Sequence, residues 1–229
     1  MRLAYSPAKI RAIGKRSVKM KVILVNGSPH PHGCVFTALG VVAAILNEEG
    51  IENEFFQVGT KPISGCLDCR TCIKKGRCAI SDRVNDFLDI AEKADGFVFG
   101  SPVHYASVSG AMTSFLDRVF YASFCCGRHI FRLKPGATVA SARRAGTTAT
   151  LDQLNKYLTW AEMPVISSRY WNMVHGSTPE DVKQDLEGIQ IMRVLGRNMA
   201  WFLKCKEAGL RAGVVLPEQE KRISTDFIR

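Results

Sequence analysis

Four cysteines, Cys66, Cys69, Cys72 and Cys78, fall in the run from Gly65 to Cys78 at the spacing C-x2-C-x2-C-x5-C. Two-residue gaps let successive thiolates converge on one centre, so the run reads as a ligand set for a metal ion or an iron–sulfur centre. Zinc, two disulfides and free thiols are the competing readings. Disulfides need an oxidising compartment, and the first three cysteines are too crowded to pair comfortably with one another. The last gap is longer than in the bacterial ferredoxin run, and Ala79 rather than proline follows it. An iron–sulfur centre here is therefore expected to be single, with all four ligands local.

Three other stretches carry chemistry of a different kind. Gly27-Ser28-Pro29-His30-Pro31-His32-Gly33 sits between an apolar run and a helical one. A strand, a small-residue loop and a helix together aim backbone N–H groups at an anion, and Ser28 and Thr37 add hydroxyl donors. The loop has neither Gly-Lys-Ser/Thr nor G-x-G-x-x-G, which demotes an ATPase and a Rossmann dinucleotide site. Without a lysine it suits a phosphate monoester such as that of FMN, against the plain alternative of a βα turn. His30 and His32 read as solvent-facing or anion contacts rather than a metal pair. In Ser101–Gly110, Pro102 holds the chain extended while Val103, His104 and Tyr105 offer surfaces for a flat aromatic ligand, or for core and interface packing. Arg143 and Arg144, followed by Ala145, Gly146 and Thr147, could neutralise a reduced flavin or hold a nicotinamide cofactor's phosphate, unless they are ordinary surface charges. No Ser-His-Asp set and no paired carboxylates stand out, as expected where a cofactor carries the chemistry.

These stretches need elements to position them. Lys21–Asn26, Ile51–Val58, Gly96–Gly100, Ala137–Ser141 and Pro164–Ser168 read as five short, largely apolar strands. Helices are expected over Phe36–Glu49, from the Asp82 cap to Lys93, and over Ala111–Tyr121, Leu151–Trp160 and Thr178–Ala208. The alternation predicts an α/β fold, a doubly wound five-stranded parallel sheet of flavodoxin-like order 2-1-3-4-5 with a long C-terminal helix. A ligand then belongs outside the carboxyl ends of the strands, with the cysteine run on the same edge. The last helix, ~45 Å long at 1.5 Å per residue, exceeds one sheet face, and Met192 and Trp201 widen its apolar stripe, which predicts subunit contact. Asp117 and Arg118 read as a local ion pair. Cys125 and Cys126 read as free thiols, and Arg169–Asn172 as an interface or a pocket lid.

The chain of 229 residues suits one domain. Of its net charge of +10, residues 1–19 supply six, with no Asp or Glu among them. The remainder lacks a basic stripe interleaved with aromatics, so nucleic acid is not expected to be the main partner. Residues 1–19 are read as a basic N-terminal extension, expected to be disordered, with Met20 as the natural start of a domain over 20–229. The extension has no apolar core of a secretory signal, and no run reaches the ~18 apolar residues of a membrane span. A reducing cytoplasm is the expected setting for eight cysteines.

Together these loops resemble the NAD(P)H-dependent FMN reductase family of flavodoxin-like proteins, and the cysteine spacing is similar to its iron–sulfur flavoprotein branch. The resemblance runs from Met20 to the C-terminus and includes Ser101-Pro-Val-His-Tyr, Ala142-Arg-Arg-Ala-Gly, Ser168-Arg-Tyr-Trp-Asn and Thr225-Asp-Phe-Ile-Arg. It implies a non-covalent FMN in a homodimer or homotetramer, a [4Fe–4S] cluster on Cys66, Cys69, Cys72 and Cys78, NAD(P)H as electron donor, and a ferredoxin-like redox partner. By position it implies that Ser28, His30, Gly33, Phe36 and Thr37 form the phosphate loop. Pro102, Val103, His104 and Tyr105 then lie beside the isoalloxazine, and Arg143, Arg144, Ala145, Gly146 and Thr147 at its far edge. A plain FMN or quinone reductase, a non-catalytic electron carrier and a zinc-stapled nucleic-acid binder are the rival expectations.

Overall fold

The computed structural model describes residues 19–220, 223 and 225. The basic extension, apart from Lys19, and the terminal residues 226–229 lie outside the described residues. The elements run β1 (Lys21–Asn26), α1 (Cys34–Glu48), β2 (Glu52–Gln57), α2 (Thr71–Lys75), α3 (Arg83–Ala91), β3 (Gly96–His104) and β4 (Ser107–Val108). They continue with α4 (Gly110–Cys125), β5 (Gly136–Ala142), α5 (Thr147–Trp160), β6 (Met173–His175), α6 (Pro179–Gln184) and α7 (Leu186–Arg211).

Strand order is β2-β1-β3-β5-β6, all parallel, with the two-residue β4 paired antiparallel to β3. This is the expected doubly wound order with one small strand added. Val22, Ile23, Leu24 and Val25 of β1 are wholly buried because both sheet faces are covered, which is why β1 reads as an unbroken apolar run rather than an alternating one. Each such side chain contributes about 1.5–3 kcal/mol on burial. One face packs α1, α6 and α7 through Leu39, Val42, Leu46, Leu195 and Met199. The other packs α3, α4 and α5 around a ring cluster of Phe56, Phe87, Phe97, Phe99, Phe115, Phe120 and Phe131. The site loops emerge from the seam between these two layers.

Four expectations need correction. The fifth sheet position belongs to Met173–His175, whereas Pro164–Ser168 makes only the bridge Val165 to Gly136. The chain touches the start of β5, loops out over Arg169–Trp171, and rejoins where the Ala140 N–H donates to the Asn172 carbonyl at 3.0 Å. The long helix is broken at Asp185, whose ψ of 77° ends α6 and whose carboxylate accepts from the Gly188 N–H to start α7. Met192 is buried within this chain, so only Trp201, 67% exposed, remains of the wider stripe. Asp117 and Arg118 do not pair: Asp117 accepts from the Tyr157 hydroxyl, and Arg118 turns inward to Asp82 at 2.7 Å.

Candidate functional site

The 27–33 loop is held from beneath. Asn26 Nδ2 donates to Gln57 Oε1 at 2.7 Å and reaches the His30 carbonyl at 3.3 Å, while Gln57 Nε2 donates to the Ser28 carbonyl at 2.6 Å. The buried Ser28 gives its N–H to Asn26 Oδ1, and its Oγ accepts from the His30 N–H. His30 stands exposed. Gly33 is the N-cap of α1 and supplies no side-chain cap. Thr37 spends its hydroxyl proton on the Gly33 carbonyl at 3.1 Å, so it is not the free donor expected of it. Phe36 packs against Phe55 and His32 with ring centroids 4.7 and 4.9 Å apart. Asn26 and Gln57, strand-end amides at adjacent positions of paired strands, were not singled out from the sequence; their placement at two strand ends is the signal that points to them.

The second loop is tied to the first. The Gly27 N–H donates to the Gly100 carbonyl at 2.8 Å, the Ser109 hydroxyl to the Gly27 carbonyl at 3.1 Å, and the Ser109 N–H to Ser101 Oγ. Pro102 and Val103 are half-buried, and His104 and Tyr105 lie exposed on the turn between β3 and β4. Tyr105 and Ala106 both have positive φ, 50° and 57°, the pattern a two-residue hairpin demands and usually assigns to Asn-Gly. Gly146 (φ +90°) in the third loop packs directly on this turn: a Cβ there would lie 2.6 Å from Ala106 Cα and 2.8 Å from Val103 Cγ1. Arg143, Arg144 and Ala145 are exposed, and neither guanidinium meets a carboxylate among the described residues. Thr147 is the exception in the set: it is buried, with its hydroxyl on Met173 Sδ, so only its backbone is left for a ligand.

Three of the helices leaving this edge, α1, α4 and α5, have no side-chain cap and no acidic residue in their first turns. By contrast α3, α6 and α7 are capped by Asp82, Thr178 and Asp185. Free first-turn N–H groups and the positive end of the helix dipole favour a bound anion. The fit to a flavin phosphate therefore rests on helix ends that the chain leaves without partners of its own.

All four cysteines of the spaced run line one small apolar cavity, with Leu67, Ile80, Arg118, Tyr121 and Ala122. Each two-residue gap contains one non-glycine residue of positive φ, Asp68 (45°) and Arg70 (53°), which turns the chain back toward the same side. Cys66 and Cys69 are exposed, Cys72 is buried and Cys78 half-buried, and all are free. Among the described residues no three His, Cys, Asp or Glu side chains are yet close enough to hold a metal ion. The fit to a sulfur-ligated centre thus rests on the shared cavity and the donor chemistry. Burial pushes the Cys72 thiol up to about 11, with the neighbouring Cys125 adding to the rise. Hydrogen bonds from the Thr71 hydroxyl and backbone draw Cys69 down. Arg118, read from the sequence only as an ion-pair partner of Asp117, closes the cavity: its guanidinium lies 3.2 and 3.3 Å from Cys78 Sγ. Cys66 also lines a groove of about 600 Å³ with Val108 and Thr113, so the cysteine run and the β3–β4 hairpin border one recess.

Residues 20–178 match the NADPH-dependent FMN reductase family. Over 192 residues the chain is 32% identical to an iron–sulfur flavoprotein of Methanocaldococcus jannaschii, which covers 81% of this chain and 98% of that relative. Among solved structures, the NAD(P)H:quinone oxidoreductase from Methanothermobacter marburgensis superposes with a TM-score of 0.62 at 17% identity, over 79% of this chain and 96% of that one. An archaeal flavodoxin superposes at 0.54 and 14% identity, over 81% and 99%; such likenesses show the fold, which is flavodoxin-like. No helix among the described residues is long and apolar enough to cross a membrane. The family match spans the strands, the three edge loops and the cysteine run alike, and on it the chain belongs to the NADPH-dependent FMN reductase family, whose members are oxidoreductases.

Proposed function

We propose that this protein is an iron–sulfur flavoprotein, an oxidoreductase that moves electrons from NADPH or a reduced carrier through FMN and a [4Fe–4S] cluster to an acceptor. The observation that carries the reading is the single cavity lined by Cys66, Cys69, Cys72 and Cys78, set on the same side of the molecule as the three uncapped helix ends. FMN, when bound, accepts two electrons as hydride and releases them singly, and a cluster on the four thiolates supplies one-electron transfer.

The chain's own residues do the positioning. Ser28, His30, Gly33 and the first-turn N–H groups of α1 hold the phosphate, with Phe36 and Thr37 fixing that turn. Pro102, Val103, His104 and Tyr105 form the wall beside the ring system. Arg143 and Arg144 bring positive charge to its far edge, and Ala145, Gly146 and Thr147 present backbone N–H groups there. Cys66, Cys69, Cys72 and Cys78 ligate the cluster. The exposed Tyr105, Tyr170 and Trp171 support a homodimer or homotetramer, and a ferredoxin-like protein is the natural one-electron partner. A reducing cytoplasm keeps the eight thiols available.

Anaerobic purification followed by iron, sulfide and flavin analysis and an absorption spectrum tests this. The expected protein is brown, with four iron, four sulfide and one FMN per chain. Flavin without iron reduces the reading to a plain FMN or quinone reductase, and a colourless zinc protein ends it. Stopped-flow mixing with NADPH and NADH should bleach the flavin with one of them; bleaching with neither identifies a carrier that does not meet nicotinamide.

A further inference from the structure

Arg118 is 1% exposed, among the most buried large side chains of the molecule. A guanidinium is rarely buried unless its charge is paired and its five N–H groups are occupied. Here they are. Nη1 and Nη2 donate to the two carboxylate oxygens of Asp82 at 2.7 and 2.8 Å. Nη1 also reaches the Ser64 carbonyl at 3.3 Å and Nη2 the Ile80 carbonyl at 3.2 Å. Nε and Nη2 present the remaining edge to Cys78 Sγ at 3.3 and 3.2 Å.

The sequence positions of these partners are what matter. Ser64 precedes the first cysteine and Ile80 follows the last, so one side chain on α4 fastens both ends of the ligand run. Three residues along the same helix, the Tyr121 hydroxyl donates to Asp68 Oδ1 at 3.0 Å inside the first gap. The helix thus grips the run at its two ends and within it. Among the described residues only one of the four cysteines, Cys78, receives a guanidinium, and it receives both donors of one edge.

We propose that Arg118 is the positioning residue of the sulfur site, fixing the cysteine run on α4 and, through two N–H···S bonds to Cys78, raising the reduction potential of the centre the four thiolates hold. The inference rests on the cluster reading above. Donors on a ligand sulfur stabilise the more electron-rich state, and the potential rises. The Asp82 carboxylate, one-quarter exposed, opposes this by offsetting the guanidinium's charge. Two substitutions therefore have opposite signs. Arg118→Gln removes the donors and the charge and shifts the midpoint negative. Asp82→Asn removes the offset and shifts it positive, and asparagine still caps α3, whose Val84 N–H now bonds Asp82 Oδ1 at 3.1 Å.

The test uses the full chain, reconstituted anaerobically with ferrous iron and sulfide, with iron counted and the midpoint measured by potentiometric titration. The expected change in each variant is about tenfold in the reduced-to-oxidised ratio at fixed potential, which is 59 mV for one electron. Shifts in the same direction, or no shift with iron retained, overturn the proposal and leave Arg118 a purely structural clasp. Should Arg118→Gln fail to fold, the wild type decides: protein labelled with ¹⁵N in its arginine guanidinium groups should give a ¹⁵N coupling to the reduced centre in pulsed electron paramagnetic resonance, and absence of coupling overturns the proposal. Wild-type protein that takes up no iron fails differently, ending the cluster reading and this inference with it.

Discussion

Gly146 is the position at which one methyl group should separate the effects of backbone conformation and close contact. Its φ of +90° lies beyond the left-handed well that L residues tolerate, and an added Cβ would stand 2.6 Å from Ala106 Cα. The obstacle is backbone, so no rotamer change relieves it. A left-handed conformation costs an L residue roughly 1–2 kcal/mol, and forcing a group into a filled site adds about 1–3 kcal/mol. Gly146→Ala should therefore destabilise the fold by roughly 2–5 kcal/mol. Gly59 supplies the control: φ is +102° there, with nothing within 4 Å of the added Cβ, so Gly59→Ala should cost only the conformational part, about 1–2 kcal/mol. Urea unfolding of both variants gives the difference directly. Because the strained contact joins the α5 N-terminus to the Val103–Ala106 turn, Gly146→Ala should also weaken FMN binding, read by flavin fluorescence, by tenfold or more, about 1.4 kcal/mol, while Gly59→Ala does not. Equal stability losses in the two variants would refute the contact argument, and unchanged FMN affinity in Gly146→Ala would remove that turn from the flavin site.

The remaining expectations draw on single residues. Arg118→Met strips Asp82 of its partner and should cost about 3–5 kcal/mol in urea unfolding, whereas Asp117→Asn, which keeps an acceptor for the hydroxyl of the half-buried Tyr157, should cost about 1 kcal/mol or less. Arg70 holds a positive φ of 53°, so Arg70→Gly should raise the melting temperature slightly and Arg70→Val should lower it; the reverse order would show that the gap is not strained. Burial pushes Lys134 down to about 8, so between pH 8 and the unfolded value near 10.5 the unfolded chain holds a proton that the native one has released. Stability from this group therefore rises with pH across that window. The stability of wild type relative to Lys134→Met should increase from pH 8 to 10, and a flat difference would show that Lys134 is solvated.

The parts of the fold that could be read in the sequence are those in which local pattern and tertiary demand coincide. Val22–Val25 and Phe97–Phe99 are apolar because both sheet faces cover them, and a run of that kind is visible without knowing its neighbours. Met173–His175 is a strand only because β5 lies beside it; three residues carry no period. Pro164–Ser168 looks more like a strand, yet Val165 is 41% exposed and pairs at one point. The misplaced ion pair has a simpler cause. Adjacent residues on a helix point about 100° apart and do not face each other. Asp117 therefore looks out toward Tyr157, while Arg118 looks in along the stripe of Phe115 and Ala122. An arginine at that spacing on an apolar face was the available sign that a partner acid, here the half-buried Asp82, had to exist elsewhere.

The candidate site obeys a different logic, one of partners withheld. Three helices, α3, α6 and α7, complete their first turns with Asp82, Thr178 or Asp185, as helix ends without another partner require. At the edge, Gly33 and Gly146 have no side chain to offer. Ser109, which could cap α4, gives its hydroxyl to the Gly27 carbonyl instead and so locks one loop to the next. Glycine or a diverted serine at three N-caps is visible in the sequence, but its meaning depends on all three helix ends meeting at one rim, which only the strand order provides. The cysteine run shows the same division. Its spacing announces four ligands, while the side chain that fastens both ends of that run sits some forty residues away on α4, where no spacing rule connects the two. Residues that contact a ligand sit in loops whose composition advertises them. Those that hold the loops in place, Asn26, Gln57, Ser109 and Arg118, are polar residues whose roles follow from what they are bonded to.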